Sequence, residues 1–450
     1  MNKYLPLWIV LSCGAVTELS YIIFSLLSPE YGNAALYMVI YFEAFCLFFA
    51  AWFFIKRAGN SRITFLIPFT KKIFNTDEVS ANKLSLPVLI ILFGILFRIT
   101  LIPSAPATSP DVYRYMFEGR TALSGYNPYT VPAADERLKS IRDEHYEKVI
   151  FKNIPAMYPP FAEILFAAAQ AVTPGSYVSL KIIYLLFEIL TLFILLKLLI
   201  LKGKDPLLVI LYAWLPLPVM EYFVNAHIDA AGLSMLLLFV YLVEKKNYKT
   251  AAVPLALSIL TKLYPLMLFP LLLKKLKFSQ FVVFGFIAAC IIILFYLPFV
   301  YNNLYVIEGL MKYVKHWEFN ASVYNVIKLV SDGFIARQVC SIMLIAAIII
   351  ISVKYIDFTK AVFGVFMSFM IFATTLYPWY IGWTAVFNPV AGFTSVMSLC
   401  FTSNFSNFTP LGEKWKEYTA VLLLQYIPFF ILLGYDLKRK QKRPDKSGLN

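Results

Sequence analysis

Long apolar runs separated by short polar breaks organise this chain of 450 residues. The hydrocarbon core of a bilayer takes about 20 mostly apolar residues per helix. Runs of that kind fall near 6–27, 34–55, 84–103, 177–201, 206–224, 229–243, 278–300, 336–353, 361–376 and 418–435. Two further apolar stretches, 251–273 and 379–402, are broken at the middle by Thr261, Lys262 and Pro265 and by Asn388 and Pro389. Each reads as one kinked span or as two short helices. The pattern predicts an all-α, polytopic integral membrane protein with about 10 to 14 transmembrane helices. The run PFAEILFAAAQAV at 160–172 falls short of a span and reads as an interfacial or re-entrant helix.

Composition agrees: 60% of the residues are hydrophobic, 15% are charged and mean hydropathy is +0.72, against about 45–50% apolar and about 25% charged in soluble domains. A secreted disulfide scaffold, a disordered chain and a cytosolic enzyme are thereby excluded. The net charge of +14 is read as topology, with no nucleic-acid partner, because cytoplasmic loops of polytopic proteins collect Lys and Arg. Lys56, Arg57, Arg62, Lys71, Lys72 and Lys83 form one basic cluster, Lys245, Lys246 and Lys249 a second, and Lys438, Arg439, Lys440, Lys442 and Arg443 a third. Placing all three inside sends the segment 104–158, whose charges balance, to the opposite face. Beyond 278, charge leaves sidedness open. The five cysteines are scattered singly through apolar segments and read as packing residues.

The polar chemistry is concentrated in the 104–158 loop and its flanks. S-P-D-V-Y-R-Y-M-F-E-G-R (109–120) is followed by G-Y-N-P-Y (125–129) and M-Y-P-P-F (157–161). Pro110 suits a first helical turn and Ser109 a cap. In that helix Asp111, Arg114, Tyr115 and Glu118 share one face, with Asp111 at the positive end of the dipole. An oriented carboxylate at a membrane–water boundary fits a general base; a helix cap paired with Arg114 is the alternative, and the residues alone leave both open. Glu221, Asn225, His227 and Asp229 join two apolar runs, Lys262 interrupts a third, and H-W-E-F-N-A-S (316–322) supplies His316, Glu318 and Asn320. An ionisable group inside a membrane segment is expensive and so points to function, although a lysine near a helix end also snorkels. Tyr377, Trp379 and Tyr380 fit an aromatic belt as well as a site.

The order of these elements resembles the GT-C glycosyltransferases, membrane enzymes that use polyprenyl-phosphate sugars. The branch containing the catalytic subunit of glycosylphosphatidylinositol mannosyltransferase I and its prokaryotic relatives is the most similar. Asp111-Val112-Tyr113-Arg114 resembles the element that opens the first outer loop in that branch. Asn127-Pro128-Tyr129, Tyr158-Pro159-Pro160, Lys181 to Glu188, Asn225-Ala226 with Asp229, and Lys262-Leu263-Tyr264-Pro265 follow in order. Asn320 to Ser322 and Tyr377-Pro378-Trp379-Tyr380 are similar to later motifs. The resemblance covers 84–435, with 104–158 as the extracytoplasmic catalytic loop. Residues 1–83 add two transmembrane helices and a basic loop outside it, and 436–450 form a basic cytoplasmic tail. Many relatives carry a second acid beside the loop Asp; Pro110 and Tyr113 stand at those places here, so a two-carboxylate metal site is not favoured and no cofactor is expected.

The resemblance implies an inverting transferase that moves a sugar, mannose in that branch, from a polyprenyl-phosphate donor to an acceptor hydroxyl at the outer face of a bacterial plasma membrane. The acceptor is a lipid-linked, glycan or protein hydroxyl. Asp111 is the implied base. Arg114, Tyr115, Glu118, Arg120, Asn127, Tyr129, Tyr158, His227, Asp229, Lys262, Tyr264, His316, Glu318, Asn320, Tyr377, Trp379 and Tyr380 are the implied substrate-binding residues, with Arg114, Arg120, Lys262 and His316 as the cations for the leaving phosphate. A transporter or flippase, or a non-catalytic membrane subunit, remains the alternative from composition and broken spans.

Overall fold

The computed structural model describes residues 5–28, 32–58, 66–74, 77–300, 306–409 and 417–442. Arg62 of the first basic cluster and residues 443–450 of the basic tail lie outside the described residues. The chain divides into two units, Met1–Trp317 and Glu318–Asn450. Among the described residues it is helical, without β-strands.

In the first unit the principal helices are α1 (Leu5–Leu27), α2 (Ala34–Ala58), α3 (Glu78–Thr100), α4 (Asp111–Leu123), α5 (Pro160–Val172), α6 (Val178–Leu201), α7 (Pro216–Phe223), α8 (Asp229–Glu244), α9 (Tyr248–Ile259), α10 (Phe278–Val300) and α11 (Glu308–His316). In the second they are α12 (Gly333–Lys354), α13 (Phe358–Phe372), α14 (Thr394–Thr402) and α15 (Thr419–Lys442).

The chain is a multi-pass membrane protein: α1, α2, α3, α6, α10, α12 and α15 are long and apolar enough to cross a bilayer, seven helices among the described residues. The short helices at 206–213 and α7 make an eighth crossing if they are one span bent by 45°. The pattern predicted more full-length spans, and the difference lies in helix length and in proline. The 229–243 run folds as the 16-residue α8 and the 361–376 run as the 15-residue α13, both below the length that spans hydrocarbon untilted. Pro216 forces the preceding Leu215 into an extended conformation (φ −62°, ψ 119°) and so separates α7 from the helix before it. Region 251–273 takes the broken form, with α9 ending at Ile259, a 3-10 turn over Tyr264–Leu268 and a short helix over Phe269–Lys275. Region 379–402 is likewise a series of short helices.

One buried ion pair fixes α3 against α6. Arg98 Nη2 and Nε donate to Glu188 Oε2 at 2.8 and 3.0 Å, Tyr212 Oη donates to Glu188 Oε1 at 2.8 Å, and Arg98 Nη1 donates to the carbonyls of Gly94 and Ala213. A charge buried without such partners would be strongly destabilising. Lys181, about two turns nearer the start of α6, turns elsewhere: its Nζ donates to the Ser104 carbonyl at 2.6 Å, in the segment leading to α4.

Helix α4 lies against α5, and Gly119 sets the approach. A Cβ there would stand 2.5 Å from the Phe166 carbonyl oxygen, so backbone meets backbone with no room for a side chain. Tyr115 stacks on Phe166 with ring centroids 4.5 Å apart and planes 4° from parallel. These contacts hold the first turn of α4, and with it Asp111, in a fixed frame.

Candidate active site

The approach to Asp111 is fixed from behind by Asn225. Its Oδ1 accepts the backbone N–H groups of Ala107 and Thr108 at 3.1 and 3.0 Å, and its Nδ2 donates to Thr108 Oγ1 and to Glu221 Oε2. The next residue, Ala226, is buried in the left-handed region at φ 58°, a conformation that a Cβ disfavours. That turn aims His227 and Asp229 at the start of α4.

Asp111 opens α4 with its N–H donated to Ser109 Oγ at 3.3 Å, and its side chain keeps 21% of its surface open. The carboxylate is therefore not sealed from its surroundings. Tyr115 Oη lies 3.5 Å from Oδ2. His227 stands behind it, Nδ1 3.7 Å from Asp111 Oδ2 and Nε2 3.5 Å from Glu221 Oε2. Glu221 Oε1 in turn accepts the hydroxyl of Tyr37 at 2.8 Å. Burial, reinforced by positive Lys262, holds His227 well below the usual histidine range and hence neutral. Burial also raises the Asp111 carboxyl to about 6, against the opposing pull of Lys262 and Arg114.

Lys262 occupies the break after α9. Both oxygens of Asp229, at the start of α8, accept from its ammonium, at 2.9 and 2.7 Å, and the rings of Tyr158 and Tyr264 each lie 5.8 Å from it. Tyr158 Oη shares a 2.8 Å hydrogen bond with Tyr115 Oη, and the Tyr158 carbonyl accepts the Tyr129 hydroxyl at 2.6 Å. Asp111, Tyr115, Tyr129, Tyr158, His227, Asp229, Lys262 and Tyr264, read from scattered segments of the sequence, thus converge. The arrangement pairs a reachable carboxylate with a fixed ammonium within its electrostatic range.

Arg114 has a different task from the one its charge implied. Its Nε donates to Glu118 Oε1 at 2.8 Å and its Nη2 to the carbonyls of Ile154 and Pro155 at 2.9 and 2.8 Å. The guanidinium pins the 151–155 segment, three residues before Tyr158. Asn127 orders the same loop, donating to the Phe299 carbonyl and accepting the Tyr129 N–H. Beneath Glu118 lies Glu163 of α5, fully buried. Burial and the neighbouring Glu118 charge raise the Glu163 carboxyl well above the usual range, so it keeps its proton.

Most of the remaining expected site residues have partners of their own. Arg120 is nine residues beyond Asp111, about 14 Å along the axis and half a turn round it at 1.5 Å and 3.6 residues per turn, and pairs with Asp143. His316 ends α11 and is exposed. Glu318, Asn320, Tyr377, Trp379 and Tyr380 belong to the second unit. There Glu318 accepts from Tyr324, Lys328 and Arg337, Asn320 Nδ2 donates to the Leu376 carbonyl at 3.0 Å, and Tyr377 stacks on Phe319 and Trp379. Trp379 and Tyr380 pack edge to face with centroids 5.8 Å apart. Tyr37 and Glu163 escaped the sequence reading. Glu163 left a signal, as the one acid in a mostly apolar short helix, whereas Tyr37 is one aromatic among many in α2.

Among the described residues no group of three His, Cys, Asp or Glu side chains is arranged to hold a metal ion. Residues 8–276, more than half of the chain, match the MptA_B family, described as alpha-(1->6)-mannopyranosyltransferase, N-terminal domain. No curated protein matches the chain.

Proposed function

This chain belongs to the MptA_B family of alpha-(1->6)-mannopyranosyltransferases, and from that premise we propose that it transfers mannose from a polyprenyl monophosphate to an acceptor hydroxyl at the outer face of the plasma membrane. The observation that carries the mechanism is the reachable Asp111 carboxylate within electrostatic range of Lys262, itself clamped by Asp229. An alcohol is a weak nucleophile until its proton is taken. Asp111 accepts that proton as the acceptor oxygen bonds to the anomeric carbon. The bond from that carbon to the phosphate oxygen breaks in the same displacement, with inversion, and its electron pair leaves on the polyprenyl phosphate. Lys262 faces the oxygen on which negative charge grows, where a fixed cation lowers the barrier. The cations in this reading are side chains, and the reaction runs without a metal.

His227, neutral and backed by Glu221, orients Asp111. Tyr115 and Tyr158 form an aromatic wall for the sugar, and the apolar faces of the spans hold the lipid tail. The test is transfer in membranes supplied with polyprenyl-phosphate mannose. Asp111→Asn should lower it by about 10²–10⁴-fold with insertion intact; wild-type activity in that variant would overturn the assignment of the base.

A further inference from the structure

We propose that the short helix Ile67–Phe74, in the segment between α2 and α3, lies in the plane of the membrane surface and binds the headgroup phosphates of anionic phospholipids. The proposal makes no use of the mannosyl-transfer reading and stands or falls apart from it. Helices α2 and α3 each contain a stretch long and apolar enough to cross the bilayer, so this segment returns the chain at one membrane face. At 3.6 residues per turn the helix presents three sides. Ile67 and Thr70, with Leu66 just ahead of them, are buried, and the helix packs against α3. Phe69 and Ile73, one turn apart, are 45% and 39% exposed. Lys71 and Lys72, with Pro68, are exposed on the third side. An apolar side next to a basic one is the pattern of a helix set where acyl chains meet headgroups.

Charge selects the kind of headgroup. Over residues 56–83, Lys56, Arg57, Arg62, Lys71, Lys72 and Lys83 stand against Asp77 and Glu78. Asp77 is engaged in capping α3, where its carboxylate accepts the Ser80 N–H at 2.7 Å. Hydrogen bonds from Ser80, and after them the charges of Lys83 and Lys71, hold the Asp77 carboxyl below the usual range, which places those two lysines around the start of α3. At the end of α2, Arg57 lies 4.0 Å over the Phe53 ring and Lys56 lies 5.9 Å over that of Trp52. Phe53 is itself 46% exposed on a membrane-spanning helix, so the arginine stem runs along a lipid-facing ring and its charge comes out at the boundary. Each Lys or Arg held near an anionic bilayer surface strengthens association about fivefold. A free inorganic anion would meet the lysines but leave the Phe69–Ile73 side uncovered; a phospholipid in its bilayer covers both sides at once.

The helix sits at the joint of two spans that hold the interior. Helix α2 carries Tyr37 to Glu221, and α3 carries Arg98 to Glu188, so headgroups bound at their joint steady both.

The test is site-directed fluorescence on the full chain in phosphatidylcholine nanodiscs. Cys13, Cys46 and Cys290 are replaced by Ala, the buried Cys340 and Cys400 are kept, and a bimane label is attached at Phe69→Cys. Phosphatidylcholine brominated on its acyl chains should quench the label, because the Phe69 side meets acyl chains. At equal mole fraction and low salt, brominated phosphatidylglycerol should associate more tightly at the label, by about fivefold for each of Lys71 and Lys72, and added salt should weaken that preference. Lys71→Gln with Lys72→Gln should remove the preference and leave quenching by brominated phosphatidylcholine in place, whereas Lys71→Arg with Lys72→Arg should keep both. Sodium phosphate should compete no better than sodium chloride of equal ionic strength. A label quenched by aqueous iodide and by neither lipid, as under a soluble protein partner, would overturn the proposal. So would equal quenching by the two lipids, a preference that survives the glutamines, or competition by phosphate beyond its ionic strength.

Discussion

Lys262 and Asp229 are 33 residues apart in sequence and joined by two hydrogen bonds, one to each carboxylate oxygen. Asp229 begins α8 and Lys262 fills the break after α9, so one ion pair both ties two membrane segments together and keeps an ammonium charged where burial opposes it. An ion pair of this kind is costly to break on one side only.

Lys262→Met alone should therefore destabilise the protein by about 3–5 kcal/mol, because Asp229 is left buried and unpaired. Lys262→Met combined with Asp229→Asn should recover most of that loss in a detergent melt. Transfer should stay about 10²–10³-fold down in the double variant, the range for removing one group that stabilises developing charge. Recovery of transfer along with stability would make Lys262 a structural residue.

The pH dependence follows from Asp111. Burial raises its carboxyl to about 6 despite the positive charge of Lys262 and Arg114, and a base must be ionised to act. Hence kcat/KM should fall about tenfold per pH unit below about 6 and level off above it. A profile flat from pH 5 to 7 would place the base elsewhere.

Glu118 and Glu163 are predicted to differ on substitution although they are neighbours. Glu163 holds its proton, so Glu163→Gln replaces like with like inside the fold and should change stability by less than about 1 kcal/mol at low pH, where the unfolded chain is protonated as well, and should leave the variant the more stable of the two at neutral pH. A carboxyl whose folded-state pKa is raised binds its proton more tightly in the fold than in the unfolded chain. Its contribution is therefore present at low pH and lost as pH rises through the folded value, and the Gln variant should lose that slope. Glu118→Gln removes the anion that holds Arg114 and should cost about 3 kcal/mol or more. Equal losses in the two variants would contradict this division of charge.

Ala226 holds φ 58° beside two site residues, a conformation that costs a residue with a Cβ about 1–2 kcal/mol. Ala226→Gly removes that cost, offset in part by the freer unfolded chain, for an expected gain of about 0.5–1 kcal/mol. A lower melting point in the Gly variant would show that the methyl group contributes more by packing than it costs in strain.

The all-α, membrane-spanning class was legible because apolar run length is a property of the chain itself. The face shared by Arg114, Tyr115 and Glu118 was legible for the same reason: it needs only a helix beginning at Asp111. What the arginine does there was not, because its partners include the carbonyls of Ile154 and Pro155, forty residues away and without side-chain identity. Lys181 and Glu188 looked like one motif by spacing, yet one turns to the Ser104 carbonyl and the other to Arg98; a helix fixes direction and leaves the partner to packing. The broken spans were visible at Pro265 and Pro389. At Pro216 the break was hidden inside a run whose total length sufficed for a crossing.

Tyr37 reaches from the second helix to Glu221, one carboxylate behind His227 and Asp111. The amino-terminal pair of helices is thereby tied to the side chains behind Asp111 as well as to the apolar spans. A chimera that borrows those helices from another protein has to bring a hydroxyl at the same depth, or it inherits a buried acid with one partner missing.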